Sequence, residues 1–198
     1  MSHFSETTQR LSSVSAETAE GRAKELLAKV QQTFGMIPNT AKLMANSPAV
    51  LESFLGFSSA MSNAEIGSKL HNQIKLATSE SNACEYCTSI LSAVAPSAGL
   101  SVEDILNARA ANSEEPRVRA ALAFANDVLE KRGKVNDRQI ESLREHGFRD
   151  SEIVEIVASV VLGCFTNFLN NVADTELDIP RAEPIETCTA STCSSQGC

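Results

Sequence analysis

Apolar residues in this chain recur every three to four positions through stretch after stretch, and nowhere do they alternate residue by residue over a convincing length. The first spacing puts them on one face of a helix, and the missing second one argues against strands. From Ala16 to Phe34, Ala23, Leu26, Leu27, Val30 and Phe34 predict a helix that Gly35 ends. Pro38 opens a short helix through Ala45, and Pro48 opens another with Val50, Leu51, Phe54, Leu55, Phe57 and Met61 turned to a core. Ser62 and Glu65 have the spacing of a reciprocal cap, which predicts a helix from there to about Ser81. After a break at Asn82 and Ala83, a helix runs to Ala95, where Pro96 and Gly99 stop it. Ser101 with Asp104 starts one to Ala110, Pro116 starts a longer one closed by Gly133, and Asn136 or Asp137 caps one ending at Gly147. Asp150 caps the last, Ser151 to Asn171, apolar on nearly all sides between Ile153 and Phe168 and therefore expected at the centre of a bundle or at a subunit interface. The fold class is all-α.

Three regions follow from the same pattern. Residues 1–15 are polar and expected to be flexible, 16–178 form one helical domain, and 179–198 are a linker followed by a Ser/Thr/Cys-rich tail too poor in apolar residues to bury a core. A weak internal echo relates Phe54, Ile74 and the thiols that follow to Phe124, Ile156 and Cys164.

Composition narrows the function classes. A net charge of −8 argues against nucleic acid or an anionic membrane as partner. No apolar stretch reads as long enough to span a bilayer, and Met1 to Ser15 lacks the basic-then-apolar order of a secretion signal. The expected location is cytoplasmic, where thiols stay reduced and six cysteines point to chemistry or metal binding more than to structural bridges.

The chemistry concentrates in Cys84-Glu85-Tyr86-Cys87. Positions three apart on a helix share a face, so the two sulfurs can meet. A helix start offers free backbone N–H groups and a positive dipole end that favour thiolate over thiol. A close pair with one activated member is what dithiol–disulfide exchange requires. Two plainer readings compete: a buried pair of small apolar side chains, and half of a zinc site, for which the body of the chain offers only Cys164 as a further thiol.

The run Lys69 to Cys87, together with Gly147 to Ile153, Phe165-Thr166-Asn167 and Asp174 to Asp178, resembles the alkylhydroperoxidase AhpD-like, carboxymuconolactone decarboxylase superfamily, and more narrowly its uncharacterised peroxidase-related branch. The resemblance covers about residues 20–180. It implies an all-helical fold that assembles as a homo-oligomer (dimer, trimer or hexamer), no cofactor, and a dithiol that cycles between thiol and disulfide. In such proteins the second cysteine attacks a peroxide or disulfide substrate and the first resolves the product, roles that would fall on Cys87 and Cys84, with an external dithiol as reductant. Helix position alone would instead activate Cys84. The redox members also carry a Glu and a His as a proton relay, at places held here by Asn72 and Leu91, and Tyr86 stands where some members have a His. Asn takes no proton at neutral pH and Leu holds none.

Other side chains could stand in for that relay. Glu80, four residues before Cys84, and His71 are the candidates; Glu85 points elsewhere on the helix, His146 suits a helix C-terminus, Glu155 echoes the missing Glu from the other half, and Cys164 reads as core. Cys188, Cys193 and Cys198 in the tail recur every five residues and have three readings: incidental thiols, ligands for a soft metal, or part of the core of a ribosomally made, modified peptide. The expected function is a thiol–disulfide oxidoreductase extending to peroxide reduction, with a non-catalytic scaffold for the tail as the alternative.

Overall fold

Helix α4 (Gly67–Ser81) carries the least exposed run of the chain and is the element around which the others assemble. The computed structural model describes residues 9–185, and among them it contains no strand. The helices are α1 (Gly21–Phe34), α2 (Asn39–Met44), α3 (Pro48–Met61), α4, α5 (Glu85–Val94), α6 (Val102–Arg109), α7 (Pro116–Glu130), α8 (Asp137–Glu145) and α9 (Asp150–Ala173), with a 3₁₀ turn Ala95–Ala98 after α5. The largest apolar cluster joins α4, α7, α8 and α9 through Ile74, Leu122, Leu143 and Ile156. A second joins α1, α2 and α3 through Leu27, Val30, Met44 and Leu51, and a third wedges Leu76, Leu91 and Ile105 between α4, α5 and α6.

Side-chain caps close two helix starts near the expected positions. Ser101 with Asp104 forms a reciprocal pair at α6, and of the two candidates for α8 it is Asn136, paired reciprocally with Gln139, that caps it. Three starts differ from expectation. Helix α9 is capped at Arg149, whose N–H donates to Glu152 Oε2 at 2.9 Å, with Asp150 its first residue and not its cap. Helix α1 begins at Gly21 and not near Ala16, which sits in a turn closed by Ala19 N–H on Ser15 O at 2.9 Å. The Ser62–Glu65 box does not form, because Ser62 Oγ donates to Ser59 O at 2.7 Å. The backbone N–H groups of Glu65 and Ile66 instead donate to the carboxylate of Glu155 on α9, both at 3.0 Å. A local signal gives way to a long-range cap.

Helix α9 corrects two expectations. At 24 residues and a mean hydropathy of 1.7 it is long and apolar enough to cross a membrane, against the expectation that no such stretch exists. Yet it carries Ser159, Asn167 and Asn170 on its buried side, packed against α3, α4, α5 and α7. It is also not buried all round: Val154, Val161, Phe165, Phe168 and Val172 leave an exposed apolar stripe, which excludes the bundle centre and leaves a subunit interface as the expectation still standing.

The crossing of α4 and α9 is close. A methyl on Gly163 would lie 2.8 Å from Thr78 Cγ2, and Thr78 is fully buried with its hydroxyl committed to Ile74 O at 2.8 Å. Gly163→Ala is therefore expected to destabilise the protein by about 1–3 kcal/mol, the usual cost of overpacking, read as a lower urea midpoint at unchanged slope.

Both ends of the described segment lie against the body. Arg10 N–H donates to Ala173 O at 2.7 Å and Val14 N–H to Lys42 O at 3.0 Å. The stretch read as a linker runs along α5: Arg181 pairs with Glu85 at 2.7 Å, and Ala182 N–H donates to Ser89 Oγ at 3.0 Å. Cys188, Cys193 and Cys198 lie outside the described residues.

Candidate functional site

Helix α4 ends in a Schellman turn that delivers the thiols. Ala83 takes a left-handed φ of 48°, Ala83 N–H reaches Glu80 O and Cys84 N–H reaches Ser79 O, both at 2.9 Å. Such a conformation costs an ordinary residue about 1–2 kcal/mol, and α9 holds it in place. Asn171 Nδ2 donates to Asn82 O at 2.9 Å, Asn82 Nδ2 to Asn167 Oδ1 at 2.9 Å, and Asn167 Nδ2 to Ser79 Oγ at 3.0 Å. The break predicted at Asn82-Ala83 is thus real, and asparagines from the last helix, far along the chain, pin it.

Cys84 is the N-cap residue of α5, its sulfur accepting from Cys87 N–H at 3.4 Å. The side chain of Cys87 comes off the first turn behind it. Both thiols are free and buried, at 1 % and 3 % exposure, so charge on either needs donors nearby. Cys87 has them. The thiol of Cys84 donates to it, Asn170 Nδ2 lies 3.2 Å from its sulfur, and the polar side chains of Asn167 and Thr166 also favour its charged form. Together, the Cys84 thiol first, they outweigh burial and bring Cys87 down to about 7. The same arrangement works in reverse on Cys84. Donating to Cys87, and losing solvent, it is pushed well above the ordinary thiol range.

Cys87 opens on a cavity of about 270 Å³ between α1, α2, α3, α4, α5 and α9. Its walls are almost wholly apolar, with Val30, Phe54, Leu55, Ile90 and Leu91 among them, and Phe34, Met36 and Val94 exposed at its rim. Four polar side chains besides Cys87 stand out on its lining. Asn170 Oδ1 and Thr40 Oγ1 are buried without a hydrogen-bond partner, Thr166 hydrogen-bonds along its own helix, and Lys75 projects from α4. Tyr86 also touches the cavity, but its hydroxyl donates to Asp178 Oδ1 at 2.9 Å and accepts from Thr40 N–H at 3.3 Å. Asp178 in turn accepts from Asn39 N–H at 2.7 Å. Tyr86 is therefore a tie between α5, α2 and the C-terminal segment, and burial lifts its hydroxyl above the usual phenol range.

The sequence-derived relay candidates are engaged elsewhere. Glu80 accepts from Arg109 Nε at 2.9 Å and lines a separate polar cleft of about 210 Å³ with Glu85, Thr88, Ser89 and Ala182. His71 is buried, its Nδ1 2.8 Å from Ser159 Oγ, and burial followed by the charge of Lys75 pushes it down to about 4. Neither lines the Cys87 cavity. Asn72 Nδ2 donates to Ser68 O at 2.9 Å, and Leu91 is apolar wall. Glu155 caps α4, as above. Cys164 is half-buried against the main cluster, with Asn82 Nδ2 at 3.6 Å from its sulfur and burial raising its thiol. Among the described residues no cluster of three or more His, Cys, Asp or Glu could hold a metal ion.

Sequence reasoning missed Lys75, Thr40 and Asn170. A signal existed for two of them. Lys75 interrupts an apolar face between Ile74 and Leu76, and Asn170 stands three residues after Asn167 on an otherwise apolar helix, where unexplained polar side chains ask for a partner.

No family model and no curated protein matches this chain. Solved structures do. An uncharacterized peroxidase-related protein from Ralstonia eutropha JMP134, described as an alkylhydroperoxidase AhpD core, superposes with a TM-score of 0.78 at 23% identity over 86% of this chain and 93% of its own. An uncharacterized peroxidase-related protein from Silicibacter sp. TM1040 gives 0.72 at 22% identity over 89% and 94%, and the debrominase Bmp8 gives 0.67 at 22% over 79% and 86%. Helix order, the absence of strands among the described residues and these superpositions agree: this chain is built on the AhpD-like helical fold.

Proposed function

We propose that the protein is a dithiol peroxidase that reduces small apolar hydroperoxides through Cys87 and Cys84. The observation that carries this reading is a pair of thiols at a helix start, one of them at the wall of an otherwise apolar cavity with Asn170 Nδ2 3.2 Å from its sulfur, where these donors hold it below the ordinary thiol range while its neighbour is pushed up. A nucleophile that is charged near neutrality, beside a neighbour that keeps its proton, is the asymmetry a nucleophile and a resolving partner need. In the first step the Cys87 thiolate attacks the outer oxygen of R–O–O–H. The O–O bond breaks, Cys87 becomes a sulfenic acid, and the alkoxide leaves with a proton as R–OH. In the second, Cys84 sulfur attacks the Cys87 sulfur, water leaves, and the disulfide forms. An external dithiol then restores both thiols and is itself oxidised. The unpartnered Oδ1 of Asn170 suits this substrate: it can accept the hydroperoxide O–H while Nδ2 of the same amide holds the sulfur. The apolar lining favours a carbon-rich R group over hydrogen peroxide. A small apolar ring is a ligand within this fold, since a cysteine-to-alanine variant of the debrominase Bmp8 is solved in complex with 2,3,4-tribromopyrrole.

The test is the pH dependence of alkylation, followed at each cysteine by fragment mass spectrometry of the full chain. Cys87 is deprotonated as pH rises through about 7, so its rate with iodoacetamide should climb with a midpoint near 7, against about 8.5 for an unperturbed thiol. Cys84 should stay slow throughout. Two equally sluggish thiols with ordinary midpoints would leave the peroxidase reading without a nucleophile.

A further inference from the structure

We propose that Lys75 takes over the work of the absent Glu and His, as the cation that faces Cys87 across the cavity and the acid that protonates the departing alkoxide. The inference rests on the reading of Cys87 as the reacting thiol. Four observations meet on this side chain. Lys75 and Cys87 line the same cavity, from two helices joined by the Schellman turn. Among the described residues no carboxylate pairs with Lys75, and the one charge acting on its amine is that of Cys87. A lysine without an acidic partner at an apolar wall is costly to keep unless its charge or its proton is used. The other candidates are removed: Glu80 is bound to Arg109, and His71 to Ser159.

The step balances without a further reactant. Cys87–S⁻, R–O–O–H and Lys75–NH₃⁺ give Cys87–SOH, R–OH and Lys75–NH₂. When the external dithiol reduces the disulfide, the proton released as Cys87 returns to thiolate recharges the amine. Desolvation lowers the affinity of Lys75 for its proton, which makes the ammonium a stronger acid, while the Cys87 thiolate opposes that loss. An ammonium made more acidic in this way is better suited to give its proton to an alkoxide. The titratable groups that could confuse the picture are few. Tyr86 is tied to Asp178 and held in its neutral form, Cys84 keeps its proton, and His71, one turn before Lys75 on α4, is neutral at pH 7.

Two variants separate charge from proton. Lys75→Met removes both at similar bulk, and Lys75→Arg keeps the charge on a group that does not give up its proton. Each is checked for folding by its thermal melt, read out at Cys87 by alkylation with neutral iodoacetamide and anionic iodoacetate, and then by one turnover of cumene hydroperoxide without reductant. Lys75→Met should move the Cys87 midpoint upward, lower the iodoacetate-to-iodoacetamide rate ratio, and slow the single turnover by about 10²-fold or more, the lower range for a lost general acid. Lys75→Arg should hold the midpoint and the ratio near wild type and still slow the turnover. An unchanged midpoint and ratio in folded Lys75→Met would overturn the electrostatic role, and an unchanged turnover in either variant would overturn the acid. A wild-type protein inert to the hydroperoxide but with a neutral Cys87 midpoint would sink the peroxidase reading alone, leaving the charge of Lys75 to be judged by the two alkylating agents.

Discussion

Cys87→Ser should reduce consumption of cumene hydroperoxide with dithiothreitol to the background of the dithiol alone, whereas Cys84→Ser should consume one rapid equivalent per protein and then slow. The difference follows from the proposed division of labour. Serine at 87 has no thiolate to offer, and a hydroxyl is a weak nucleophile toward the peroxide oxygen. Serine at 84 keeps what Cys84 does for its neighbour. A hydroxyl can donate to the Cys87 sulfur, and as an N-cap it accepts from the Cys87 backbone N–H, a position where serine is among the preferred residues. The first attack therefore survives, and the Cys87 sulfenic acid waits for slower, direct reduction. A dimedone adduct on Cys87, seen by mass spectrometry in Cys84→Ser and absent in the wild type, would mark the stalled species. Should Cys84→Ser lose the first equivalent while Cys87→Ser keeps it, the order of attack is reversed. Should both variants keep full turnover, the dithiol has no part in the reaction.

The order of attack shows where sequence reasoning is strong and where it needs coordinates. That Cys84 and Cys87 would share a face at a helix start is a local property, fixed by spacing three and by the break at Asn82-Ala83, and the structure keeps both features. Which thiol is charged depends on what lies across from them. Helix position argues for Cys84, but Cys84 itself donates to Cys87, and Asn170 on α9, at the far end of the domain in sequence, adds a donor to the Cys87 sulfur. The same distinction runs through the fold. Caps closed between neighbours, as at Ser101 and Asn136, are legible in the sequence. The start of α4 is not, because its real cap, Glu155, arrives from another helix. Helix α9 reads as apolar all round because hydrophobic residues say nothing of which neighbour covers them, and five of its large side chains stay uncovered.

Glu80 gives the clearest separation between a reading by sequence distance and one by contact. Four residues before Cys84, it is well placed on paper to serve as a base, yet the turn at Ala83 lets it face Arg109 and not the thiols. Arg109 is buried, with a side-chain exposure of 5%, and among the described residues its guanidinium reaches, besides Glu80, Glu183 O at 2.8 Å. Arginine does not shed its proton to escape burial, so Glu80→Ala leaves an uncompensated cation. Breaking such a pair from one side costs about 3–5 kcal/mol when both partners are buried. Glu80 retains 29% exposure, so water can partly replace it, and about 2–3 kcal/mol is the expected loss. At roughly 2–4 °C of melting temperature per kcal/mol for a chain of this size, that is a fall of about 4–12 °C. The alkylation midpoint of Cys87 should not move, because Glu80 lines the other cleft and its carboxylate is bound to Arg109. A relay residue would give the opposite signature, with an altered pH profile and single-turnover rate at nearly unchanged stability. Glu80→Gln tests the same point from the other side: an amide oxygen still accepts from Arg109 but cannot shuttle a proton, so this variant should recover part of the lost melting temperature and keep wild-type turnover. Loss of turnover in Glu80→Gln would return the proton path to the polar cleft and take it away from Lys75.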